Sequence, residues 1–299
     1  MSRYVAIDIG GTSIKYGLID DKETLVEGHE MPTEAHLGGP GIMAKVKDIV
    51  ANYQAEEALS GICLSSAGMV DPDKGEIFYA GPQIPNYAGT QFKKELEETF
   101  NLPCEIENDV NCAGLAEVKS GSAQGSPVAV CLTIGTGIGG CLVIDGQVFH
   151  GYSNSACEVG YMHLNDGPFQ DLASTTALVH YVAQQHGDPV DQWNGLRVFT
   201  EATEGNTHCI AGIDRMVDYL AQGIANICFV ANPQKVVLGG GIMAQEAILK
   251  PKLQTALKGY LVPSIAEKTE LVFAQHLNTA GMFGAYYNFK NQQEKRAQA

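Results

Sequence analysis

Apolar positions along the chain fall into two rhythms. Residues 5–20, VAIDIGGTSIKYGLID, and 130–145, VCLTIGTGIGGCLVID, each give an apolar run, a glycine-rich tip and a second apolar run. Both read as β-hairpins. PGIMAKVKDIVANY (40–53) sets Ile42, Val46, Ile49, Val50 and Tyr53 on one helical face, and QFKKELEETF (91–100) does the same with Phe92, Leu96 and Phe100. LSGICLSSAG (59–68) and CEIEND (104–109) read as strands, and VNCAGLAEVKSG starts a helix that ends near Gly121. Beyond the second hairpin the pattern predicts helices over 171–186 and 212–231, strands at 235–242 and 270–276, and a last helix from about Thr279. Strands alternating with helices imply an α/β protein with mainly parallel sheets.

Sliding the first hairpin by 125 positions matches Val5 with Val130, Ile9 with Ile134 and Gly10 with Gly135, and then Ile19 and Asp20 with Ile144 and Asp145. The expectation is an internal duplication. It gives an N-terminal lobe over 1–120 and a C-terminal lobe over 121–278, with the polar GSAQGSP (121–127) as linker.

The net charge of −15 argues against a nucleic-acid partner, because phosphate backbones repel such a surface. No apolar stretch is long enough for a membrane helix, and the N-terminus enters a strand pattern without signal-peptide architecture. The eight cysteines are scattered without a CxxC pair, which fits a reduced, cytoplasmic setting.

Glycine at a hairpin tip permits positive φ and lets an external group approach the backbone N–H donors. Gly10, Gly11 and Thr12 at one tip, and Gly135, Thr136, Gly137, Gly139 and Gly140 at the other, suit phosphate oxygens. A third cluster, Gly239, Gly240 and Gly241, follows a strand. Ligand-free tight turns are the alternative. Gly135, Gly137 and Gly140 also fit GxGxxG, but CLVIDGQVF continues as strand where a dinucleotide site needs a helix. Asp8, just before the first tip, suits Mg²⁺ held through water beside phosphates, or the backbone donors of its own turn. Asn108 and Asp109 stand where a strand passes into a helix. Asp109 could take the proton of an attacking hydroxyl; plain helix capping by either residue explains the pair equally well.

DIGGTSIKYGLID, SSAGMVD (65–71), ENDVNCAGLAE, TIGTGIGG and LGGGI together resemble the ROK family of bacterial sugar kinases and related repressors. The resemblance implies an actin-like ATPase, hexokinase-type fold: two lobes with a central nucleotide and sugar cleft, a helix at about 279–299 returning to the first lobe, and homodimers. It implies ATP and Mg²⁺ as cofactors, Asp109 as general base, and Gly68, Asn108, Asp109 and Glu158 at the sugar. Gly10, Gly11, Thr12, Thr136 and Gly137 would cradle phosphates, and Gly240 and Gly241 would pass near the adenosine. Lys15 would add charge there or simply be solvated. No helix-turn-helix precedes Arg3, so a kinase is expected rather than a repressor.

The departures from the family pattern lie in CEVGYMHLNDGPFQDLAS (157–174). Tyr161 stands for the usual zinc-binding histidine, the zinc cysteines are missing, and Gln170 stands for a sugar-binding glutamate. Cys157 alone cannot build a tetrahedral site, and His163 has no partners at usable spacing, so no zinc is expected. EVGYM is similar to β-glucoside kinases of the family, which implies phosphorylation of the 6-hydroxyl of a cellobiose-like sugar, with Tyr161 and Gln170 at its anomeric end. A free-hexose kinase (glucokinase, fructokinase or N-acetylmannosamine kinase) is the alternative, and a sugar-sensing protein of the same fold is the non-enzyme rival.

Overall fold

The computed structural model describes residues 2–81 and 84–298. The chain divides into two compact units. The first comprises Met1–Lys119, His150–Ser155 and Asn278–Ala299; the second comprises Ser120–Phe149 and Ala156–Leu277.

In the first unit, β1 (Arg3–Ile9), β2 (Ser13–Asp20), β3 (Leu25–Pro32) and β4 (Gly61–Ser66) enter the main sheet, a small ribbon is made by β5 (Met69–Asp71) and β6 (Glu76–Tyr79), and β7 (Cys104–Asn108) closes the sheet. Its strand order is β3-β2-β1-β4-β7, antiparallel from β3 to β1 and parallel from β1 to β7. The apolar face of α1 (Gly38–Glu56) is buried as its period requires, with Ile42, Val46, Ile49, Val50 and Tyr53 in the core beside Phe92 and Leu96 of α2 (Phe92–Phe100). Phe100 packs on that core half-buried. The helix α3 (Asp109–Ser120) follows β7 without a loop.

The second unit has the same strand order. Its strands β8 (Val128–Ile134), β9 (Ile138–Ile144), β10 (Gln147–Val148), β13 (Lys235–Gly239) and β14 (Glu270–Phe273) run β10-β9-β8-β13-β14; β11 (His163–Leu164) and β12 (Gly167–Pro168) form a separate ribbon. Pairing is again antiparallel from β10 to β8 and parallel from β8 to β14. The core of this unit includes apolar residues of α4 (Phe169–Ala173), α5 (Thr175–His186), α6 (Gly195–Thr203), α7 (Thr207–Ala231) and α8 (Glu246–Tyr260). A short α9 (Pro263–Ala266) precedes β14, and α10 (Ala280–Gln298) packs back on β1, β4 and β7.

Three expectations change, and two elements escape the pattern. The predicted helix over 171–186 is two helices broken at Ser174, whose hydroxyl caps the second by accepting from Ala177 N–H. The helix predicted from 212 begins at Thr207, capped by Asn206. The third strand of the hairpin sheet is missing from the pattern because LVEGHEMP is an edge strand with mostly exposed residues and no alternation. Pro251 inside α8 conceals that helix, because an internal proline reads as a helix breaker. Finally, the single offset of 125 holds only up to the tip. Ile9 pairs with Ile14 across four residues, Gly10–Ser13, whereas Ile134 pairs with Ile138 across three, Gly135–Gly137. Asp20 therefore corresponds to Ile144, and Asp145 lies in the turn beyond the strand.

Candidate active site

Chain direction and register place the chemistry of the first unit. β1, β4 and β7 are parallel, so their carboxyl ends share one edge, where α/β sheets bind ligands. The register aligns Lys15, Asp8, Ser65 and Glu107 as one cross-strand row. Ser65 Oγ donates to Asp8 Oδ1 at 2.7 Å. Burial raises the Asp8 carboxyl above its usual range, opposed by that bond and by the charge of Lys15. In the next row Ser66 faces Asn108 and shares a hydrogen bond of 2.6 Å with the buried Tyr87 hydroxyl.

Asn108 caps α3: its Oδ1 accepts from Val110 N–H at 2.9 Å and from Asn111 N–H at 3.1 Å. Its Nδ2 donates to Gly68 O and to Asp109 Oδ1, both at 2.9 Å. The capping alternative is therefore realised by Asn108, and it positions Gly68 and Asp109 at the same time. Gly68 has φ 92°, so a side chain there would be strained. Asp109 Oδ1 also accepts from Val110 N–H at 2.9 Å, so these bonds all fall on one carboxylate oxygen. Burial first, and then the charge of Asp8, push the Asp109 carboxyl up to about 7.

The tips obey a rule different from the one expected. Gly10, Gly11, Gly135 and Gly137 do not adopt positive φ. What glycine supplies at Gly11 and Gly135 is open space, since a Cβ on either would meet no atom within 4 Å. The first tip is tied down by Thr33, whose hydroxyl donates to Gly10 O at 2.6 Å and whose N–H donates to Thr12 O at 2.9 Å. In the second unit Thr175 N–H donates to Gly135 O at 2.9 Å, at the first turn of α5. Gly139 and Gly140 lie in β9 rather than at the tip; a Cβ on Gly140 would stand 2.6 Å from Cys157 O. Gly240 has φ 100° and packs on the Ile134 backbone, so the fold itself requires it.

Within the second unit, Gly135, Thr136, Thr175 and Gly241 line a cavity of about 740 Å³ whose apolar wall includes Trp193 and Ile242. Polar loops at one side and an apolar wall at another fit phosphates and a base. The oxygen donors at Asp8 and Ser65 fit a hard cation such as Mg²⁺. Gln170 lies beside the second tip, its Oε1 2.8 Å from where a Gly137 Cβ would be. Tyr161 is 58% exposed, and the exposed Glu158 side chain makes no hydrogen bond among the described residues. Partial desolvation raises the Glu158 carboxyl. Neither Cys157 nor His163 joins the cluster His186, Glu201 and Cys209, the one group among the described residues whose metal-ligating atoms come together. There Glu201 is already held by Arg197 at 2.7 Å and Asn206 at 2.8 Å.

Ser65, Glu107, His150 and Gly281 were not expected at the site. Ser65 and Glu107 come from period two applied across strands. Gly281, in the first turn of α10, lies against Asp8 so closely that a Cβ would overlap its carboxylate. No local signal marks His150.

The chain matches the ROK family over residues 4–292. A Clostridium perfringens protein with no assigned activity is 51% identical over 97% of this chain and 98% of its own length. A β-glucoside kinase from Klebsiella pneumoniae is 31% identical, covering 96% of both chains. The crystal structure of a ROK protein from Streptococcus pneumoniae TIGR4 in complex with sucrose is 29% identical, with a TM-score of 0.85 over 98% of this chain and 99% of that one. The fold is thus the α/β, actin-like and hexokinase-type fold expected from the motifs.

Proposed function

The chain belongs to the ROK family and is a carbohydrate kinase, and we propose that it phosphorylates the 6-hydroxyl of a hexose unit, with a β-glucoside as the preferred substrate. Asp109 is the general base. The observation that carries this reading is its carboxyl, poised near 7 with its hydrogen bonds gathered on Oδ1. A carboxylate that titrates near neutrality can take the hydroxyl proton as the bond to phosphorus forms.

Bound ATP and Mg²⁺ supply the phosphoryl group and neutralise its charge. Asp8 would hold the cation, with Ser65 fixing the carboxylate and Lys15 beside it. Gly10, Gly11, Thr12, Thr136 and Gly137 offer backbone and hydroxyl donors to phosphates, and Gly240 and Gly241 border the adenosine. Asn108 fixes Asp109 and Gly68 at the sugar, and Glu158 accepts sugar hydroxyls. Tyr161 and Gln170 replace the acidic and basic groups expected at the anomeric end, which leaves that end less tightly specified and favours a substituted sugar. The 31% identity to a β-glucoside kinase supports this choice. A free hexose is the second reading, since a relative of 29% identity is a glucokinase from Halalkalibacterium halodurans.

The test is ADP release with a panel of hexoses and β-glucosides, with and without Mg²⁺, alongside Asp109→Asn. Magnesium-dependent turnover is expected, higher for β-glucosides, with Asp109→Asn slower by on the order of a thousandfold and still binding sugar. Preference for a free hexose would replace the substrate. Turnover that survives in Asp109→Asn would remove the base. No sugar-dependent release would favour the sensor.

A further inference from the structure

Glu107 is 0% exposed, one residue before the Asn108–Asp109 pair, yet the reaction above gives it no task. Its carboxylate is used on both sides. Oε1 accepts from Asn108 N–H at 2.8 Å and from Asn111 Nδ2 at 2.9 Å, so it braces the passage from β7 into α3. Oε2 meets His150 Nε2 at 2.6 Å. His150 opens the short stretch His150–Ser155, which packs with the first unit although the chain on either side belongs to the second. Burial alone would lower the imidazole's proton affinity, but the bond and charge of Glu107 outweigh it and raise it.

A fully buried carboxylate is destabilising unless charge and hydrogen bonds offset it. An apolar side chain would fill this place more cheaply. It could not hold two donors at the head of α3 while anchoring a third from far along the chain.

We propose that His150 is a positioning residue for phosphoryl transfer: through Glu107 it fixes the turn that aims Asn108 and Asp109. The proposal rests on the reading of Asp109 as base. Without the imidazole, Glu107 has lost the partner of Oε2, and the carboxylate must turn toward water to regain one. That rotation loosens its hold on the Asn108 N–H and the Asn111 amide, so Asp109 is misaimed while its own chemistry is intact.

His150→Ala is expected to lower kcat by on the order of 100-fold, the effect of misplacing a catalytic group by an ångström, and to leave KM for ATP unchanged. His150→Gln, which keeps an N–H donor toward Glu107, should regain most of the loss. The double variant His150→Ala/Glu107→Gln should be no slower than the slower single variant, because both act through one contact. Wild-type kcat in His150→Ala overturns the proposal. So do single effects that multiply in the double variant, and a loss shared by KM for ATP and the unfolding midpoint without recovery in His150→Gln. If His150→Ala does not fold, Glu107→Gln carries the test: a lowered kcat at unchanged KM for ATP supports the proposal, and unchanged kcat overturns it. Turnover that survives in Asp109→Asn would instead overturn the base, whatever the His150 variants do.

Discussion

The two units repeat one strand order, yet the same edge carries opposite chemistry. In the first, the row across the carboxyl ends is Lys15, Asp8, Ser65 and Glu107, with Asn108 and Asp109 immediately beyond. In the second, the residue that corresponds to Asp8 is Thr133, and its neighbours are Gly139 and Gly239. Charge collects on one copy, while the other has only small, uncharged residues there, a shorter tip and a cavity of about 740 Å³ beside it. A duplicated scaffold thus fixes where ligands meet the backbone, and the side chains at a few register positions determine which ligand chemistry each copy supports.

Among changes that test the contrast between the two edges, breaking the charged row should have the largest effect. Asp8→Asn is expected to reduce turnover by on the order of 100-fold or more, through the loss of the carboxylate proposed to hold the cation. The same variant sharpens the comparison through pH. Asp109 must be ionised to act as the proposed base, so wild-type kcat/KM should fall as pH drops below about 7. Removing the Asp8 charge lowers the Asp109 carboxyl's proton affinity, and the residual activity should persist to lower pH.

Gly281→Ala comes next. Alanine favours a helix, but here its Cβ overlaps the Asp8 carboxylate, so turnover should fall by about tenfold or more despite the better helix former. Steady-state rates and helical circular dichroism measured together would separate the two effects. Transplanting the first copy's charge into the second, Thr133→Asp, should cost on the order of 2 kcal/mol in urea unfolding, because neither glycine neighbour offers a side chain to pair it.

The smallest expected effect is a gain. Asp109 is raised in the folded protein, so its ionisation opposes folding increasingly as pH rises from the unfolded carboxylate range toward 7. Asp109→Asn should therefore unfold several degrees higher than wild type at neutral pH, and the difference should vanish in acid. An equal or lower midpoint would mean that the carboxyl is not perturbed.

Much of the candidate site was legible in sequence. Asp8, Gly11, Asn108 and Asp109 were marked by short motifs, and the duplication was visible because both hairpins keep the same apolar flanks. Asn108 as a cap and Asn108 as a site residue could not be told apart, since both functions use one strand-to-helix junction. The edge strand Leu25–Pro32 escaped because exposure on both faces erases alternation.

Local order in this chain dictates the hairpins, the amphipathic helices and the residues at strand ends, because hydrophobic period and glycine placement act over a few neighbouring positions. The meeting of Glu107 with His150, 43 positions apart, and of Asp8 with Gly281 at the head of α10 had to await packing. So did the near-neutral Asp109 carboxyl, because desolvation and the field of a neighbouring charge exist only once distant segments have excluded water from the same small volume.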